Sequence, residues 1–340
     1  MSEHFYIQQE KRRFFQKDFP PEEFKERQRK IFKAIGSDAH AFIPSKPAIR
    51  GFHLFRQSNE FYYCCGVEIP HAYLLMSGAE QEAKLFIPEP SEKHGSGALM
   101  LTPEDAELIK EYTSIDEVYP VKTLEEHLRE VKLLYITFSP AEGRSETRYL
   151  LSQANRLISL DPWDGRLPRE QHLIGLLRTR FPRIEIRDLS PILDEIRLIK
   201  SPREIELLRK AGHLAALAVK EAMRATKPGV MEYHLRAIAN CVYMMYSAWG
   251  EGYRSIIASG RNIWDPHYSL CDCEMKDGDL VLMDSAPEYH YYTSDIARIW
   301  PVNGTYSSWQ RTLYGFIVEY HKTLLRHIRP GLTADQIMDE

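Results

Sequence analysis

Short apolar runs alternate with stretches of helical spacing through the first 195 positions. HAFIP (40–44), EFYYCCGV (60–67), AYLLMSG (72–78), AKLFIPE (83–89), EVYPV (117–121) and LLYITF (133–138) are short, β-branched or aromatic, and bounded by turn residues. They predict strands. TPEDAELIKEY, KTLEEHLREV and REQHLIGLLRTRF place apolar residues three and four apart and predict helices. Strands alternating with helices predict a mixed α/β domain around a sheet.

The pattern changes near LIKSPREIELL, so residues 1–195 and 196–340 are expected as separate domains. Ser201, Pro202 and Glu204 form a helix start, with a capping box and proline at the first helical position. That helix is predicted to run to about Thr226 and to stop at Pro228-Gly229. A second helix, MEYHLRAIANCVYMMYSAW, follows; its Met and Tyr residues at helical spacing read as core. Strands are expected over 253–302. After Gly304 the order restarts: Ser307 and Gln310 open a helix that ends at Pro330-Gly331, and Thr333 with Gln336 opens the next. KPGV and RPGL lie 102 residues apart between comparable helices, which predicts an internal repeat. The second copy holds only the first turns of its second helix, a length marginal without packing partners. The chain therefore reads as ending inside a domain.

One strand pair of the first copy carries the candidate chemistry. LVLMDSAPEYHYYTSDIARIWPV, Leu280 to Val302, predicts a mostly apolar hairpin with Asp284 and Asp295 inside it. A turn centred between Tyr289 and His290 sets Asp284 opposite Asp295, Leu282 opposite Ala297 and Leu280 opposite Ile299. Pro287 offers an earlier turn, and an odd-length loop changes the facing. Two carboxylates on one apolar face repel, so one must take up a proton or find a cation. A divalent ion such as Mn²⁺ resolves the conflict. The competing reading is that these side chains point to solvent or cap a turn.

Composition and charge narrow the classes. The chain has 340 residues, 44% hydrophobic and 27% charged, enough to bury two cores. A net charge of −4 leaves no footprint for nucleic acid or an anionic membrane. No apolar run spans a bilayer, and MSEHFYIQQEKRRFFQKDF lacks the apolar centre of a secretory leader. Five cysteines, an odd and sparse set, point to a reducing compartment, so a cytoplasmic location is expected. Cys271-Asp272-Cys273 has no second Cys pair and reads as ordinary thiols before a metal or redox half-site. No phosphate loop, dinucleotide fingerprint, nucleophile elbow or HExxH sequence occurs. The first domain is expected to be a scaffold, and self-association into a homo-oligomer is expected with it.

YRSIIASGRNIWDPHYS adds His267 after a glycine break. A histidine there can donate to a substrate carbonyl or steady an oxyanion, against an ordinary loop role.

Taken together, ILDEIRLIKSPREIELLRKAG, KPGVMEYHL, SIIASGRN, HYS and MKDGDLVLMDSAPEYHYYTSDIARIWPVNGTYS closely resemble the Xaa-Pro aminopeptidases of the creatinase/prolidase group. FHLFRQSNEFYYCCGVEIPHAYLLM resembles their N-terminal domain. The resemblance implies a pita-bread metallopeptidase domain, only its first part present, behind an aminopeptidase P-like α/β domain. It implies release of the N-terminal residue from peptides with proline in second position, using two divalent metal ions, usually manganese. Asp284 and Asp295, 11 residues apart, match two of the family's metal ligands. His267 matches a histidine that assists at the substrate amide, and Tyr253 an active-site tyrosine. The family's remaining ligands, one His and two Glu, would lie beyond Glu340, so these 340 residues alone are expected to bind metal weakly and to be inactive. Asp284-Ser285-Ala286 departs from the family's Asp-x-Gly, and Ala297-Arg298-Ile299 from its Thr-Arg-Thr. These departures leave both Asp in place and change the residues that surround them. A prolidase acting on Xaa-Pro dipeptides and a metal-free peptide-binding member are the alternatives.

Overall fold

The computed structural model describes residues 10–48, 54–89 and 100–339. Residues 1–9, where the absence of a secretory leader is read, lie outside the described residues. So do Phe52 and His53 of the N-terminal motif. Two compact units are present, Met1–Leu207 and Leu208–Glu340.

The first unit is built on a six-stranded sheet: β1 (Ala39–Pro44), β2 (Tyr73–Ser77), β3 (Glu82–Ile87), β4 (Glu117–Pro120), β5 (Leu133–Ile136) and β6 (Glu185–Asp188). Their order is β4-β3-β2-β1-β5-β6. β1, β2 and β3 form an antiparallel meander, and β4, β5 and β6 add parallel to it. Alternation along the strands explains why both faces are covered. Ala41, Ile43, Leu74, Met76, Leu85 and Ile87 face one core, while Phe42, Leu75, Phe86, Leu134 and Ile136 face the other. Helices α1 (Pro21–Ile35), α2 (Asn59–Cys65) and α3 (Ala106–Tyr112) contribute Ile31, Phe61 and Ile109 to the first core. After α4 (Leu124–Leu128) and α5 (Arg148–Leu160), α6 (Arg169–Arg180) contributes Ile174 and Leu177 to the second. Helix α7 (Ser190–Leu198) returns to the first core through Leu193.

The run EFYYCCGV, expected as a strand, is helix α2. It is apolar and fully buried, so no polar face reveals its period. Gly66 ends it in the left-handed conformation, φ 67°, with its N–H donating to the Tyr62 carbonyl.

Helix α8 (Pro202–Ala225), which begins in the first unit and continues through the second, starts at the expected box. The Ser201 N–H donates to Glu204 Oε2 at 2.7 Å, and the Glu204 N–H to Ser201 Oγ at 3.2 Å. Helix α9 (Glu232–Met245) packs with it on a three-stranded antiparallel sheet, β11-β8-β7, of Ile256–Ser259 (β7), Leu280–Asp284 (β8) and Ala297–Pro301 (β11). Between the last two lies the small ladder of β9 (Glu288–Tyr289) and β10 (Tyr292–Thr293). Leu214, Ala218, Leu235, Ala239, Tyr243, Ile257, Val281 and Met283 form the core. Val281 and Met283 face it, which leaves Leu280, Leu282 and Asp284 on the half-open face of β8. The restart after Gly304 is helix α10 (Ser308–His327), capped by Ser307 and Gln310, and α11 (Ala334–Asp339) follows.

Glu60 in α2 is 4% exposed, and its carboxylate faces Arg148 and Arg197 at 3.6 and 3.9 Å, too long for hydrogen bonds. Burial pushes its pKa up, and Arg197 and Arg148 only partly oppose that. A buried acid with a raised pKa favours folding while it is protonated, and that contribution is lost as pH rises through the folded-state pKa. Glu60→Gln removes the loss without stranding either cation, since Arg148 keeps Asp194 at 2.6 Å and Arg197 keeps Glu142 at 3.7 Å. The variant is expected to match or exceed the parent by about 1 kcal/mol at pH 8 and to gain nothing at pH 4. Urea unfolding at the two pH values measures this, and a variant that is less stable at pH 8 contradicts it.

Candidate metal centre

The hairpin turns one residue later than its sequence suggests. Tyr289 pairs Tyr292 and Asp284 pairs Ala297, so the turn is His290-Tyr291. Both residues have positive φ, 47° and 72°, the pattern of a type I′ turn, here without the usual Asn or Gly. Asp284 therefore faces Ala297 and not Asp295, Leu282 faces Ile299, and Leu280 faces Pro301. A shift of two residues keeps every side chain on its original face. Asp295, between β10 and β11, is thus a diagonal neighbour of Asp284, within reach of a side-chain contact.

Tyr253 joins them. Its hydroxyl donates to Asp284 Oδ1 at 2.5 Å and lies 3.2 Å from Asp295 Oδ1. Burial, reinforced by both carboxylates, pushes the phenol pKa far up, so it remains a donor. Asp284 is also pushed up. Burial is the largest cause, the Tyr253 hydrogen bond works against it, and the charge of Asp295 adds to it. His267 is exposed on the loop that follows β7 and a 3₁₀ turn, Gly260–Trp264. It makes no hydrogen bond to either carboxylate among the described residues, but its charge acts on Asp284 and favours ionisation there. The structure therefore brings together Asp284, Asp295 and Tyr253, with His267 within electrostatic range.

Two buried glutamates, not singled out from sequence, hold the loops that carry these groups. Glu251 takes the Arg236 fork at 2.8 and 2.6 Å. Burial opposes its ionisation, yet Arg236 and Ser255 bring its pKa below the usual range. The chain from Trp249 to Gly252 then pairs with 286–288: the Gly252 N–H donates to the Ala286 carbonyl at 2.8 Å and the Glu288 N–H to the Gly250 carbonyl at 2.8 Å. Glu232, wholly buried at the start of α9, accepts at Oε1 from the Ser259 N–H (2.6 Å), Ser259 Oγ (2.7 Å) and Asn262 Nδ2 (3.0 Å). At Oε2 it accepts from the Tyr268 hydroxyl (2.9 Å) and the Cys273 N–H (3.2 Å). Asp272 and Cys273 approach Glu232, but these bonds already occupy its lone pairs and make it a clamp on the His267 loop. The signal available in the sequence was a charged residue on the apolar stripe of α9.

Comparison with known proteins finds a matching family in each part of the chain. Residues 206–340 match metallopeptidase family M24, and residues 24–134 match the aminopeptidase P N-terminal domain. The Xaa-Pro aminopeptidase of Escherichia coli is 41% identical over 153 residues, 45% of this chain and 35% of that protein. The Xaa-Pro aminopeptidase of Haemophilus influenzae is 29% identical over 94% of this chain and 70% of its own length. Zinc-substituted E. coli aminopeptidase P in complex with product superposes with a TM-score of 0.74 at 26% identity, over 94% of this chain and 71% of that one. The second part of the chain is thus similar to metallopeptidase family M24 and the first to an aminopeptidase P-type N-terminal domain. Its fold is that of the pita-bread aminopeptidases. It spans between about a third and 70% of the length of these two curated relatives.

Gly252 has no room for a side chain. A Cβ there would lie 2.4 Å from Thr293 Oγ1 and 3.1 Å from the Pro287 carbonyl. Gly252→Ala is expected to cost about 1–3 kcal/mol and to move the adjacent Tyr253 off the carboxylates. Urea unfolding and the tyrosine ring signals in ¹³C NMR measure both effects; an unchanged Tyr253 signal would contradict the second.

Proposed function

We propose that the protein containing this chain is a metal-dependent aminopeptidase that releases the N-terminal residue from peptides with proline in second position. The observation that carries the reading is the convergence of Asp284 and Asp295 on one phenolic hydroxyl, at 2.5 and 3.2 Å. Two carboxylates held this close are a hard-oxygen donor set that fits a divalent cation, with manganese the expected ion. Bound there, two divalent ions would polarise the peptide carbonyl and activate water.

The chain's own residues have separable roles in this reading. Asp284 and Asp295 hold the ions, and Tyr253 orients both carboxylates through its hydroxyl. His267, exposed on a loop within electrostatic range of Asp284, would donate to the substrate carbonyl as its charge develops. The substrate is a peptide, and similarity to Xaa-Pro aminopeptidases supports proline in its second position. Only two of the five ligands implied by the resemblance fall within these residues, so weak metal binding and no peptidase activity are proposed for the 340-residue chain by itself.

A cytoplasmic site of action is proposed from the sparse thiols, all five of them free. No helix among the described residues is long and apolar enough to cross a membrane. Self-association is proposed as well; α5 carries Leu150 and Leu157 outward and Trp163 follows at 96% exposure, which suits contact with a second copy.

In the full-length protein Asp284→Asn is expected to lower kcat/KM for Ala-Pro-Ala by about 100-fold or more, with bound manganese lost in parallel. Cleavage of Ala-Pro in preference to Ala-Pro-Ala would make it a prolidase instead. Peptide binding that is indifferent to metal removal would support the metal-free reading.

A further inference from the structure

Directly behind the carboxylates lies a chain of buried hydroxyls that the proposed chemistry does not use. Tyr243 on α9, Ser285 after β8 and Ser255 before β7 are each 0% exposed. Tyr243 Oη shares a hydrogen bond with Ser285 Oγ at 2.8 Å, and Ser285 Oγ shares another with Ser255 Oγ at 2.7 Å. The Ser255 N–H lies 3.4 Å from Glu251 Oε1, which Arg236 holds. The network thus runs from α9 through Ser285 and Ser255 to Glu251.

Two of its stretches matter for the site. Ser285 immediately follows Asp284, and Glu251 and Ser255 bracket Tyr253. The phenol and its main acceptor are therefore tied to the same helix by one set of hydrogen bonds. Stability does not account for the arrangement, because replacing mutually satisfied buried hydroxyls by apolar groups of the same shape can be nearly neutral. A contact of 2.5 Å between Tyr253 and Asp284 is another matter. Small shifts of either backbone segment would open it, and hydrogen-bonded hydroxyls fix position more narrowly than apolar packing does.

We propose that Tyr243, Ser285 and Ser255 are positioning residues that set the Tyr253 hydroxyl against Asp284 and Asp295 and so tune the site's affinity for a divalent cation. The affinity part rests on the metal-centre reading above; the positioning part concerns the chain without metal. The serine of Asp284-Ser285-Ala286 then has a defined partner set in this chain.

The test uses the 340-residue chain, with Tyr243→Phe and Ser285→Ala as variants. Val219→Ala, a cavity in the same core that removes no hydroxyl, is the control. Two quantities are read: Mn²⁺ affinity by electron paramagnetic resonance of the free ion, and the downfield proton resonance of the Tyr253 hydroxyl without metal, assigned by its loss in Tyr253→Phe. Both hydroxyl variants are expected to weaken Mn²⁺ binding by about 10-fold and to shift that resonance, while the control moves neither. Mn²⁺ affinity and resonance that stay at parental values in both hydroxyl variants overturn the proposal. An equal shift of the resonance in the control overturns it too, since the effect would then be a general loosening. If Asp284→Asn leaves Mn²⁺ binding intact, the metal-centre reading is what fails; in that case, and where the 340 residues bind Mn²⁺ too weakly to read, the resonance decides the positioning claim alone.

Discussion

The His290-Tyr291 turn determines what the rest of the site can be. Two residues with positive φ match the twist of the flanking strands and lock the pairing of 284 with 297. A displacement by one residue would send Asp284 into the core occupied by Val281 and Met283. Such a burial would leave a charge without partners in an apolar cluster, at a cost of several kcal/mol. The hydrophobic alternation of β8 therefore enforces the register as strongly as the turn does. The carboxylate stays on the half-open face because the other face is already filled.

Holding a hairpin still is not enough, since the groups that complete the site come from loops. Here the chain uses buried carboxylates as anchors. Glu232 gathers five donors from the 259–273 loop, and Glu251 fixes the 249–255 segment through Arg236. Each is buried, so each would be costly if any donor were removed, and that asymmetry makes the loop conformations specific. Loops that look irregular in sequence are thereby held almost as firmly as the strands they join.

What the sequence discloses follows from how locally each feature is encoded. Capping boxes at Ser201 and Ser307 and the helix ends at Pro228-Gly229 are written in adjacent residues, and the structure has them as read. The strands HAFIP and AYLLMSG are legible for the same reason. EFYYCCGV was not, because a run buried on all sides carries no period. The hairpin's facing is recoverable from sequence but its register is not, because nothing in His290-Tyr291 advertises a type I′ turn. Glu232 and Glu251 are not legible as anchors, because their partners lie up to 41 residues away in sequence, where only the fold brings them together. The carboxylate pair was visible, yet its bridging phenol was known only through family resemblance.

The bridging phenol also shows why the site is unfinished in electrostatic terms. One hydroxyl carries one proton, so it can satisfy Asp284 at 2.5 Å while only approaching Asp295 at 3.2 Å. The repulsion between the two carboxylates remains. Burial of Asp284 sharpens that repulsion, while the exposure of Asp295 lets water screen part of it. Protonating one acid relieves this but forfeits half of the negative charge. A divalent cation relieves it and keeps both acids ionised, with the Tyr253 hydroxyl still able to donate to an outer lone pair. The like charges set side by side on this half-open face are a cost that either a proton on one acid or a cation between both relieves, and only the cation leaves both acids ionised.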